Sequence, residues 1–155
     1  TLAANVENLT LTGFRSSHAI GNELDNVLVG NDSKNKLVGA LGADTLTGGL
    51  GSDRFVLLAE GDSPATAGQW DVITDFDELE RDRIDLRRVD ADVLESGNQR
   101  FTWIGTASFG ADATGQLRFD SATHMLYGST DADANAEIAI ELVGVTSLDV
   151  HSIMR

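Results

Sequence analysis

The sequence contains no cysteine, one proline, few aromatic residues (two Trp, one Tyr and six Phe in 155) and few cations. Without cysteine there is no disulfide, no thiolate nucleophile and no Cys-based zinc site. A domain built without disulfides needs another staple, and metal ions at oxygen sites are the obvious candidate. An ordinary acidic domain that simply lacks cysteine fits the composition equally well. No apolar run approaches the ~20 residues needed to cross a bilayer. Eleven Lys and Arg stand against 25 Asp and Glu, a net charge of −14, which repels nucleic acid and anionic lipid and attracts cations. With 41% hydrophobic residues, the chain has enough apolar matter to fold as one domain or as two small layers sharing a core. Its opening, Thr1-Leu2-Ala3-Ala4, has neither an initiator Met nor a charged segment followed by an apolar one, so a cut inside a longer chain is expected.

What the chain does contain is a nine-residue repeat. Four rows run in register from Gly21, Gly30, Gly39 and Gly48 to Val56. Position one is Gly in every row, position six reads Asn26, Asn35, Asp44 and Asp53, and position eight reads Leu28, Leu37, Leu46 and Phe55. Upstream, the segment Asn8 to Gly13 reads as a degenerate further row, and Phe14 to Ile20 is expected to break the phase. Six residues that turn and three that form a short strand predict a parallel solenoid, with two rows completing each coil. Position eight is then the only inward apolar side chain of each row. So thin a core leaves conformational entropy unopposed unless something binds the turns.

After Val56 the period ends. Glu60 to Trp70 reads as a connector around Pro64, followed by strand-like runs at 71–76, 83–86, 101–104, 116–119, 125–127 and 138–143. Seven of the aromatics fall in this half, which should supply most of the core and cover the open end of the solenoid.

Residues 18 apart stack on one side of such a solenoid, placing Asn35 over Asp53 and Asn26 over Asp44. Turn carbonyls converging with these side chains make an all-oxygen cage of about six ligands, which suits Ca²⁺ better than Mg²⁺; a transition metal would want the His or Cys that the rows lack.

The full row Gly48-Gly49-Leu50-Gly51-Ser52-Asp53-Arg54-Phe55-Val56 resembles the calcium-binding nonapeptide of RTX (repeats-in-toxin) proteins. Asp62-Ser63-Pro64, Asp71 to Phe76, Asp82 to Leu86, Phe101 to Gly105 and Gly115 to Phe119 resemble the C-terminal domain of serralysin-type metalloproteases, and this likeness spans nearly the whole chain. It implies an all-β fold, with a parallel β-roll over residues 1–57 and an antiparallel β cap over 58–155. It further implies one calcium site formed by Gly30, Asp32, Asn35, Gly49, Gly51 and Asp53 and another by Gly21, Glu23, Asn26, Ala40, Gly42 and Asp44. Asn at two position-six places leaves one certain carboxylate per site. Asp131-Ala132-Asp133-Ala134-Asn135-Ala136-Glu137 resembles half an EF-hand loop but lacks its glycine, and reads first as a solvated acidic hairpin. Asp71 and Asp75 stand where they could complete a site.

The His-rich zinc helix of a serralysin catalytic domain is missing; His18, His124 and His151 are scattered singly. A non-catalytic module is therefore expected, with any catalytic domain lying upstream in a parent chain. The resemblance implies an extracellular, calcium-dependent folding unit exported through a type I (ABC transporter) channel. The tail 147–155 fits the secretion signal loosely, because it ends in Arg155. Two other readings stay open. One is a module binding alginate or another anionic polysaccharide, like those of mannuronan C5-epimerases, with Arg81, Arg83, Arg87 and Arg88 as the basic strip. The other is a structural segment of an adhesin.

Overall fold

The structure is a computed structural model that describes residues 1–155, and it is built almost entirely from strands. Strands β1 (Asn8–Thr10) and β2 (Ser17–Ile20) precede the four regular rows, which give β3 (Val27–Val29), β4 (Asn35–Val38), β5 (Thr45–Thr47) and β6 (Arg54–Val56). Because each six-residue turn carries the chain to the opposite side, alternate strands join different sheets. One sheet runs β1-β3-β5 and the other β2-β4-β6, all parallel. Leu28 pairs with Leu46 and Leu37 with Phe55, so the 18-residue stacking is met. All four position-eight side chains are buried between the sheets.

The phase break expected at Phe14–Ile20 does not occur in space. Ser17 lies beside Asn35 and Ala19 beside Leu37, so Ser17 takes position six and a fully buried Ala19 takes position eight. Leu9 pairs with Leu28, which places one additional residue in the turn between β1 and β2. A turn absorbs such an insertion, whereas a parallel ladder does not.

The boundary expected at residue 57 coincides with no break in either sheet. Strands β7 (Asp71–Ile73) and β8 (Arg83–Asp85) add a further coil, Ile73 pairing with Leu46 and Ile84 with Phe55. Beyond them come β9 (Thr102–Trp103), β10 (Gln116–Asp120), β11 (Met125–Gly128), β12 (Ile138–Leu142) and β13 (Ile153–Met154). The pairs β10-β11 and β11-β12 are antiparallel, while β12 lies parallel to β7 and β13 parallel to β8. At its C-terminal end the edge of each sheet of the roll is therefore covered by a strand of the C-terminal half, β12 on β7 and β13 on β8. One apolar cluster runs from Ala19 through Phe55, Phe76 and Phe101 to Ile153, with Phe76 packed on Phe55 at 6.1 Å between ring centroids.

Candidate metal centre

Position six forms two ladders. In one, Asn26 N–H donates to Asp44 Oδ1 at 2.7 Å and Asp44 N–H to Asp71 Oδ1 at 3.1 Å. In the other, Asn35 N–H donates to Asp53 Oδ1 at 2.7 Å and Asp53 N–H to Asp82 Oδ1 at 2.8 Å. Each of the four aspartates reaches back to the preceding coil, and all six residues are buried. The stacks foreseen from the 18-residue spacing are thus present, and each gains a third member. Asp71 and Asp82 begin Asp-x-apolar triplets like those of Asp44 and Asp53 but follow no leading glycine, so a search for whole rows passes over them.

The second oxygen of Asp44 and of Asp53 is buried and accepts no hydrogen bond. A buried carboxylate oxygen without a donor is unfavourable by several kcal/mol unless it is protonated or bound by a cation. The environment pushes toward one or the other. Burial, with Asp25 and Asp62 nearby, raises Asp44 to about 6. Burial, with Asp82, Asp75 and Glu80 nearby, raises Asp53 to about 7. Burial and the charges of Asp44 and Asp62 raise Asp71 to about 8.

The turns are shaped for close approach. A Cβ at Gly39 or Gly48 would fall on the free oxygen of Asp44 or Asp53, and one at Gly49 would lie 2.8 Å from Asn31 O. Gly49 and Gly51 also require positive φ, +86° and +115°. The carbonyls of Gly21, Glu23, Ala40 and Gly42, and those of Gly30, Asp32, Gly49 and Gly51, accept no hydrogen bond from the protein. Carbonyl and carboxylate oxygens with no other partner are the donor set of Ca²⁺, so the residues present fit that ion.

The first two rows are satisfied differently. In row one, Asn22 N–H donates to Asn26 Oδ1 at 2.8 Å and Asn26 Nδ2 returns a bond to Asn22 Oδ1 at 3.2 Å. Row two repeats this with Asn31 and Asn35, at 2.7 and 3.1 Å. The free amide nitrogens then reach the preceding coil: Asn22 Nδ2 donates to Ala3 O and Val6 O, and Asn31 Nδ2 to Arg15 O. Each position-two amide thus supplies hydrogen-bond donors to carbonyls of the coil before. Position two had been passed over in the sequence because asparagine there looks like an ordinary turn residue.

The remaining candidates fall elsewhere. Both Asp75 oxygens are taken by the N–H groups of Gly48 and Gly49, at 2.8 Å each, and Glu80 accepts from Gly51. Asp75 therefore caps the last regular turn with its own charge. The carboxylates of Asp131, Asp133 and Glu137 lie within 4.8 Å of one another at the hairpin before β12, with Asp131 accepting from Asp133 N–H and Asp133 from Asn135 N–H. Arg87 holds Asp85 through two bonds, of 2.9 and 2.8 Å, and keeps its carboxyl below the usual range. Arg81 and Arg88 are exposed and unpaired, so the Arg81–Arg88 run does not form one strip. No histidine joins a cluster of metal-ligating side chains.

Among solved structures, the chain is similar to the AlgE6R2 subunit of the mannuronan C5-epimerase of Azotobacter vinelandii. The two share 24% identity over 90% of this chain and 86% of the other, with a TM-score of 0.56. It also matches the AlgE6R3 subunit at 24% identity, over 99% and 86% of the two chains, with a TM-score of 0.48. No curated protein sequence matches it. The first of these likenesses places the chain among β-roll folds. Residues 10–154 match the model described as "Peptidase M10 serralysin C terminal", a span that takes in both position-six ladders and every strand that covers them. A calcium-binding β-roll module of the RTX type is what such a span describes, and the chain belongs to the serralysin C-terminal family.

Proposed function

We propose that this chain drives the calcium-dependent folding and export of a larger secreted protein and takes no part in that protein's chemistry. The observation that carries the proposal is the pair of buried, partnerless oxygens, Asp44 Oδ2 and Asp53 Oδ2. Where calcium is scarce these carboxylates must be desolvated or protonated, the thin roll core cannot compensate, and the chain stays open. Where calcium is plentiful, one ion lies between rows one and three, held by Gly21, Glu23, Asn26, Ala40, Gly42 and Asp44. A second lies between rows two and four, held by Gly30, Asp32, Asn35, Gly49, Gly51 and Asp53. A dissociation constant ten times below the ambient concentration adds about 1.4 kcal/mol per site, enough to decide a marginal fold. Membership of the serralysin C-terminal family supports passage through a type I (ABC transporter) channel and an extracellular destination. The parent is then a serralysin-like protease or another extracellular enzyme.

Circular dichroism of the chain in EGTA and then in millimolar calcium tests the folding arm. A β spectrum that appears only with calcium is expected, and one unchanged by chelator rejects the switch. For export, a reporter fused ahead of residue 1 should appear in the medium of cells carrying a type I exporter and stay inside cells without one.

A further inference from the structure

We propose that the depression between β13 and Phe101 binds a small phosphomonoester, taking its phosphate on Arg100 and Arg155 and its organic body on an apolar floor. The depression encloses about 550 Å³ and is the largest on the molecule. Its basic lining residues are Arg87, Arg100, His151 and Arg155, and no acidic residue joins them, in a chain of net charge −14. The rest of the lining is apolar: Phe101 and Ile153 are buried, Val150 and Met154 half-buried. A concave apolar surface with a few converging polar groups is the usual form of a small-molecule site.

Two of these cations already have partners. Arg87 donates from Nε and Nη2 to Asp85, and His151 Nδ1 meets Asp149 Oδ1 at 2.6 Å. Arg100 and Arg155 enter no ion pair. Moreover, Arg155 Nε is buried and finds no acceptor. A charged group whose donor is buried without an acceptor sits unfavourably, and no carboxylate in the lining relieves it. The guanidinium therefore gains by turning its donors to an anion that enters the depression. Backbone pairing fixes where Arg155 stands. Ile153 pairs with Ile84, and Leu86 N–H donates to Met154 O at 2.7 Å, so the strand that carries the unmet donor is anchored beside the floor.

The charges select the ligand class. Two uncompensated guanidiniums match the roughly two negative charges and three terminal oxygens of a phosphomonoester. A monocarboxylate leaves one guanidinium unmet. Free phosphate meets both but leaves the apolar half of the lining in water, surface that an organic group would cover. Neither position-six ladder contributes to the site, so it is independent of the calcium proposal. Most of the wall comes from Val150 to Arg155, and a bound ester thus also holds β13 against β8.

The test uses the whole chain held folded in calcium, as read by circular dichroism, and titrated with phenyl phosphate by calorimetry, with the same calcium in cell and syringe. Saturable binding with a dissociation constant at or below about one millimolar is expected. Inorganic phosphate, which lacks the apolar body, and benzoate, which lacks the second charge, should each bind at least about fivefold more weakly. Arg100→Gln changes an exposed side chain and keeps the fold; it should weaken phenyl phosphate binding at least about tenfold, as should Arg155→Gln. Arg88→Gln, outside the depression, should bind as the parent does. Saturating ester should raise the melting temperature of the parent and leave that of the Arg100→Gln variant unchanged. No saturable binding by folded parent at about ten millimolar phenyl phosphate, or undiminished binding by either folded variant, overturns the proposal. Inorganic phosphate binding as tightly as the ester overturns the role of the apolar floor, and benzoate doing so overturns the phosphate assignment.

Discussion

Asp44 and Asp53 differ from Asn26 and Asn35 by one atom each, and that atom decides how the turn is satisfied. The amide closes its own turn, whereas the carboxylate leaves an oxygen with no donor. Asp53→Asn should therefore raise the calcium concentration at half-folding by at least about tenfold, since the ion loses its one full charge in that turn. The metal-free state should lose no stability, because a neutral amide is easier to bury; calcium titration followed by circular dichroism reads both. Ala40 is the other informative position. It holds φ +81° where Gly49 holds +86° in the next row, a left-handed conformation that an alanine adopts at a penalty. Ala40→Gly should stabilise the folded state by about 1 kcal/mol, net of the added freedom of the unfolded chain. A thermal melt in calcium checks the gain.

At the scale of the element, the roll is a stack of near-identical turns closed by two chemistries. The asparagine pairs bind the first regular coil to the turns before it, whereas the aspartates leave buried oxygens without a donor. Asn31→Ala removes the bond to Arg15 O and exposes the Asn35 amide, a loss of about 1–3 kcal/mol. Urea unfolding at saturating calcium should show that loss while the number of ions bound stays the same; a lower stoichiometry would place a metal in that interval instead. The period, the inward position eight and the stacked position six were legible in the sequence because glycine and a single apolar site recur every nine residues. Ser17 and Ala19 were not, since small residues at positions six and eight carry no hydrophobic signal and only the ladder with β4 reveals their register. Asp71 and Asp82 keep the Asp-x-apolar triplet, but turns longer than the repeat hide their register, so that Asp71 is legible only as an acid near the final turn and Asp82 not at all. The role of Asn22 and Asn31 depends on carbonyls of the coil before, which no local pattern announces. The basic run likewise needs register: Arg81, Arg83, Arg87 and Arg88 are close in sequence, yet only Arg83 stands on a strand, beside Arg54.

For the whole molecule, the raised carboxyl groups fix the pH response of the metal-free chain. Asp44, Asp53 and Asp71 titrate near 6, 7 and 8 when folded, against 3.8 as the ordinary value. The folded state therefore binds more protons than the unfolded one across that interval, and stability falls as pH rises. Metal-stripped protein should be most folded at about pH 4, close to the ordinary carboxylate value, and lose structure steadily as the pH rises toward 8. Asp85, held low by Arg87, acts in the opposite sense only below the usual carboxylate range. Saturating calcium should reverse the trend by favouring the ionised groups, and chemical denaturation at several pH values with and without the ion shows both slopes.

The pairings of the closing strands set a clock as well as a boundary. Within the rows, partners are 18 residues apart, but Ile140 with Asp71 and Ile153 with Ile84 join positions about seventy apart, separations that slow folding. The coil of β7 and β8 is sealed on one side by β12 and on the other by β13. Without residues 153 and 154 the early turns can still stack, but β8 is left as an open edge. Strand β13 thus acts as a latch, and losing its pairing with β8 should leave a roll that starts to form and never locks.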